Sequence, residues 1–135
     1  MNLGHLILIL GLSLFATGCG PNATSRAIMV LNTAADVAES ANKVLAAEYE
    51  NEQSVAIDMA PSREVAEREI REIRERYKGA WIAQKAFRMV WIDAAATVQL
   101  IQISGETPDA GKILKLLGRL AEAQRSFIES VKKLE

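Results

Sequence analysis

The chain has 135 residues, with 16 Lys and Arg against 17 Asp and Glu, a formal net charge of −1, one Cys and one His. That length suits a single domain, and the near-neutral balance excludes a role built on long-range attraction to nucleic acid or to an acidic bilayer. One cysteine excludes an intramolecular disulfide framework, and a sole histidine at His5 leaves everything after it without an imidazole for general-base catalysis or metal ligation.

The first segment is apolar. Leu6 to Phe15 reads Leu-Ile-Leu-Ile-Leu-Gly-Leu-Ser-Leu-Phe, and no Lys, Arg, Asp or Glu precedes Arg26. The run is shorter than the roughly 20 apolar residues needed to span a bilayer, and matches the ~7–15 residues of a secretory signal core. It is followed by Ala16-Thr17-Gly18-Cys19. This stretch resembles the lipobox of bacterial lipoproteins, although Ala16 stands where that family usually has a larger aliphatic residue. The resemblance covers residues 1–19 alone. It implies that the Cys19 thiol is alkylated with diacylglycerol, that Ala16, Thr17 and Gly18 form the cleavage motif, and that residues 1–18 are removed as a signal peptide. Gly20 in place of an Asp after the cysteine further implies the periplasmic face of the outer membrane in a Gram-negative cell. The alternatives for this segment are an uncleaved membrane anchor and a buried terminal helix. Residues 19–25, Cys-Gly-Pro-Asn-Ala-Thr-Ser, read as a short polar tether. Residues 26–135 read as the folded domain.

No strand pattern occurs after Ala23, and helix formers dominate. A first helix is expected over about 24–50, with Thr24 or Ser25 as N-cap and a seam of Ala27, Val30, Ala34, Val37, Ala41 and Val44, flanked by Leu31, Ala38 and Leu45. Glu48, Glu50 and Glu52 oppose the negative end of a helix dipole that stops there, and Ser54–Asp58 either continues the helix or forms an ordered loop.

A second helix is expected over 61–103, with Pro61 in its first turn. Ala66, Ile70, Ile73, Tyr77, Ala80, Gln84, Phe87, Trp91, Ala94, Val98 and Ile101 recur at steps of four and three without a slip. Its first part offers Glu64–Arg68, Glu67–Arg71 and Glu72–Arg76 as helical ion pairs. Gly105 then supplies a left-handed stop, with Thr107 as N-cap and Pro108 as first residue of a third helix over 107–134. The seam of that helix is Ile113, Leu117, Leu120, Gln124, Phe127, Val131 and Leu134.

These segments predict an all-α fold: a three-helix antiparallel bundle or coiled coil with a long central helix, after an N-terminal apolar signal helix. The third helix should end level with about Gly79, leaving Arg63–Lys78 projecting beside the end of the first. A continuous helix kinked at Pro61 is the alternative to a turn there.

Tyr77, Trp81, Phe87 and Trp91 share a helical face, as core or as a platform for an aromatic ligand. Gln84 and Gln124 occupy seam positions, where polar residues set register, or else lie at a bundle edge. Gly111 and Gly118, seven apart, read as sites of close helix packing. Asp36, Glu39, Asp58, Asp93 and Asp109 form no di-metal spacing, and no phosphate loop or nucleophile elbow occurs. No metal and no cofactor beyond the covalent lipid is expected. The function expected is a non-enzymatic, membrane-anchored lipoprotein whose helices form a structural or protein-interaction module. Its partners are the membrane, through the anchor, and another protein or a second copy through the helices, with no nucleic acid. The other readings are a phage-encoded, spanin-like lysis lipoprotein and a carrier of a small apolar ligand lodged against Trp81 and Trp91.

Overall fold

A computed structural model of the chain describes residues 23–105 and 109–134. The apolar segment, Ala16–Cys19 and the start of the tether lie outside the described residues, as do Thr107 and Pro108. Three helices follow in order: α1 (Ala23–Met59), α2 (Arg63–Ser104) and α3 (Ala110–Lys132). Each packs on the other two, and among the described residues there is no strand. The fold is the antiparallel three-helix bundle with a long central helix.

α2 is nearly as the 3.5-residue spacing predicts. At ~1.5 Å per residue its length is about 60 Å. Every member of its seam is buried or half-buried, from Ala66 to Ile101. Its start, at Arg63, lies two places after the expected one. Ser62 is the N-cap, its hydroxyl accepting from Val65 N–H at 3.4 Å, and Pro61 stands just ahead of it. Proline disfavours helical geometry in the residue before it, so α1 stops at Met59, and Ala60–Pro61 make a turn in place of a kinked continuous helix. At the other end Gly105 takes φ 64°, the left-handed conformation that costs an L side chain strain. Asp109 is the N-cap of α3, its carboxylate accepting from Gly111 N–H at 2.9 Å and Lys112 N–H at 3.3 Å.

α1 departs further from the sequence reading. It continues to Met59, well past Glu50, so Glu48, Glu50 and Glu52 sit within the helix and do not face its negative end. Its inward face is also turned. Ala27 and Ala34 are buried as expected, and so are Leu31, Ala38 and Leu45, read as flanking the seam on the same face; the departure is that Val30 and Val37 are half-buried and Val44 is exposed. The buried row continues at the same four–three spacing through Tyr49 and Glu52 to Ala56. The reason is α2: side-chain contacts at Leu31, Asn42, Tyr49 and Glu52 fasten α1 along this side.

The register follows from these contacts. Phe87 stacks on Phe127 with ring centroids 6.5 Å apart, and Arg119 reaches Asp93 at 3.7 Å, so α3 runs antiparallel to α2 and its end at Lys132 stands level with about Ile82. Beyond that level α1 and α2 continue as a two-helix hairpin, as the lengths predict. The glycines have other roles than helix packing. A side chain at Gly118 would meet nothing, and a Cβ at Gly111 would stand 3.2 Å from the Asp109 carboxylate, so Gly111 leaves room for the cap.

The main core lies where the three helices overlap, with Phe127, Leu120, Leu45, Ala34 and Ala94 almost completely buried. Phe127→Ala is expected to lower unfolding stability by about 3–5 kcal/mol, measurable by urea denaturation followed by circular dichroism.

Candidate functional site

The part-buried hydrogen bonds between helices lie along one line, the α1–α2 interface. Gln84 donates from Nε2 to Asn42 Oδ1 at 2.8 Å. Trp91 donates its indole N–H to the backbone carbonyl of Leu31 at 2.9 Å. Tyr77 donates its hydroxyl to Glu52 Oε1 at 2.9 Å, and Arg76 pairs with the other oxygen of the same carboxylate. Tyr49 closes the set, 5.2 Å from the Tyr77 ring and edge-on to Trp81 at 6.1 Å.

These contacts place the singled-out residues. Gln84 is half-buried and bonds across the α1–α2 interface to Asn42. Trp81 and Trp91 both pack against α1. Phe87 instead turns to α3 and stacks on Phe127, so the four aromatics form no common platform. Gln124 is buried in the seam of α3 and is not at an edge; its Nε2 has no hydrogen-bond partner. Asn42, Tyr49 and Glu52 were missed in the sequence. Their signal was the four–three row from Leu31 through Leu45, which leads directly to them once α1 is extended.

The Glu-before-Arg ladder of α2 is not formed. Arg76 leaves Glu72 for Glu52 on α1, because there it joins a carboxylate already held by the Tyr77 hydroxyl. The ion pairs within helices are Arg63–Glu67 at 2.8 Å, Lys78–Glu75 at 3.1 Å and Lys43–Glu39 at 2.7 Å, all exposed. Exposed pairs of this kind contribute little to stability. The Lys43 ammonium, hydrogen-bonded to Glu39, holds that carboxyl below its usual value.

Beyond the end of α3, the hairpin carries an open cleft of about 430 Å³, lined by residues that include Val55, Ala56, Glu69, Glu72 and Ile73. Neither tryptophan lines it. Among the described residues no three His, Cys, Asp or Glu are grouped to hold a metal ion, and no helix is long and apolar enough to cross a membrane. Comparison with protein-family models, curated proteins and solved structures found no match.

Burial, the hydrogen bond to Glu52 and the negative charges of Glu52 and Glu48 together push the Tyr77 phenol up to about 12 from its ordinary value near 10. An unfolded tyrosine loses its proton first, so the stability held at Tyr77 is complete below pH ~10 and falls as pH rises from 10 through 12. Tyr77→Phe is expected to flatten this alkaline loss relative to the parent chain in denaturation curves recorded across that range. Gln124→Leu removes an unpartnered buried amide and is expected to raise stability by about 1 kcal/mol, read as a higher urea midpoint at unchanged slope.

Proposed function

We propose that the protein is a lipid-anchored lipoprotein of the bacterial cell envelope whose helical bundle serves as a non-catalytic structural or protein-interaction module. The observation that carries this reading is the Ala16-Thr17-Gly18-Cys19 motif behind an apolar run of signal-core length, placed immediately before the folded body. Its chemistry explains the lone cysteine. A thioether to diacylglycerol brings two acyl chains, each buried CH₂ worth about 0.8 kcal/mol, and two chains anchor stably where one binds marginally. Cys19 is then an attachment point, and the residues after it have neither a free thiol nor a histidine to act as nucleophile or base.

The geometry of the body supports the same reading. α1 begins at Ala23, four places after Cys19. The Trp91–Leu31 bond sets the register there, so this amino-terminal end lies beside the carboxyl-terminal end of α2. The α1–α2 turn lies at the far end, and α1 alone is about 55 Å long at ~1.5 Å per residue. A surface carried that far from its anchor, rich in charge and held by a specified register, suits recognition of another macromolecule better than enclosure of a small ligand. With Gly20 after the cysteine, the favoured address is the periplasmic face of the outer membrane.

Expression in a Gram-negative host with labelled palmitate is expected to label the chain and place it in the outer-membrane fraction. Cys19→Ala is expected to abolish the label. A parent chain recovered unlabelled from the soluble fraction would overturn the reading. A host-lysis defect on deletion of the gene would move the same lipoprotein into the lysis-associated class.

A further inference from the structure

We propose that the outer face of α2 is a self-association surface, on which a second copy of the chain packs through its own α2 in antiparallel orientation. α2 buries one seam against α1 and α3. On the opposite side the same helix carries a second row, Ile82, Met89, Ile92, Ala96, Leu100 and Ile103, at steps of seven, three, four, four and three. All six are exposed, and the five large ones keep 50–75% of their surface accessible. Among the described residues nothing covers this row. In the earlier half of α2 the same face carries Glu64, Glu67, Arg71, Arg74 and Lys78, so it changes from charged to mainly apolar at about Gly79, close to the level where α3 ends, with Lys85 between Ile82 and Met89 as the one charge within the row.

Three observations choose the occupant. The first is area. Five large apolar side chains exposed to this extent present on the order of 600 Å² per copy, at the upper limit of what monomers usually expose in one patch. Two copies together then bury about 1,200 Å², the lower bound for a stable specific interface. The second is shape: a straight row about 30 Å long at heptad-like spacing matches another helix with the same row. The third is charge. Between Gly79 and Ser104 the only charged residues are Lys85, Arg88 and Asp93, and Asp93 is paired with Arg119. A helix lying on lipid is flanked by rows of Lys and Arg, which this face lacks.

Charge also chooses the orientation. A parallel pair in register sets Arg71 against Arg71 and Glu64 against Glu64, like charges that oppose association. An antiparallel pair about a two-fold axis near Ile92 sets Ile82 opposite Ile103 and Met89 opposite Ala96, and carries the two charged hairpins to opposite ends. Lys85 then lies opposite Leu100, its methylene stem along the row and its ammonium at the edge. The inference deepens the interaction role proposed above and does not depend on lipidation of Cys19.

The test is the mass of the full chain extracted from membranes in mild detergent, measured by sedimentation with detergent-density matching. The parent chain and Cys19→Ala are both expected to be dimers, which separates this inference from the lipoprotein reading. Met89→Glu with Ile92→Glu is expected to weaken dimerisation by about 100-fold or more, giving a monomer of unchanged helicity whose melting temperature no longer depends on protein concentration, since both positions are exposed in one copy. Met29→Glu, an exposed apolar residue on α1, is the control and stays dimeric. In the Cys19→Ala background, Met89→Cys with Ala96→Cys is expected to cross-link between copies. A monomeric parent chain, a dimer that survives the double substitution, or a Cys19→Ala chain that floats with phosphatidylglycerol vesicles through this row without dimerising would overturn the proposal.

Discussion

The polar fastening of α1 to α2 is the constraint from which the rest of the bundle follows. Alanine-rich and charged surfaces give two long helices many nearly equivalent ways to lie side by side, and apolar contact alone discriminates weakly between them. Hydrogen bonds do not slide. Gln84 to Asn42, Trp91 to the carbonyl of Leu31 and Tyr77 to Glu52 are spread along most of the interface, and a shift of one turn breaks all three at once. Each lost bond leaves a half-buried donor or acceptor without its partner, and that loss is larger than the net gain from making the bond.

α3 is held differently. Its contacts with the hairpin are apolar, led by Phe127 on Phe87, and its one ion pair to α2, Arg119 to Asp93, is long and exposed. Non-directional burial supplies most of the stability where the three helices overlap, while the directional contacts set which side of α1 faces inward. Gln124 is the exception, a buried amide on α3 with an unpartnered nitrogen. The division matters for a body proposed to present surfaces to other molecules. Beyond the end of α3, the hairpin depends on the Tyr49–Tyr77–Trp81 cluster and the Glu52 bonds, and its charged faces stay free of core duties.

Much of this was legible in the residues. The seam of α2 read correctly from Ala66 to Ile101, because a long helix between two neighbours keeps strict four–three spacing. The seam of α3 and the left-handed Gly105 read correctly for the same kind of reason, a local rule with one dominant residue. The centre of α1's inward face was set too near Val30–Val37–Val44, because that row and Leu31–Ala38–Leu45, both read on the one face, are adjacent and of similar hydropathy. The Glu–Arg ladder was misjudged because spacing reports which partners are within reach, not which reach best. Arg76 had a carboxylate on its own helix and chose one across the interface, already held by a tyrosine.

By itself the sequence determined the helical class, the helix count, the turn at Gly105, the projecting hairpin and the lipobox-like seam at Cys19, all of which rest on composition or on spacing within one segment. Tertiary structure alone decided where the inward face of α1 is centred, that Gln84 pairs with Asn42 while Gln124 lacks a partner for its nitrogen, and that the row from Ile82 to Ile103 is left uncovered by the other described residues. The reason is physical. A helix can state its own periodicity, but which of its faces meets a neighbour depends on the neighbour's side chains and on hydrogen bonds between residues as far apart in the chain as Leu31 and Trp91.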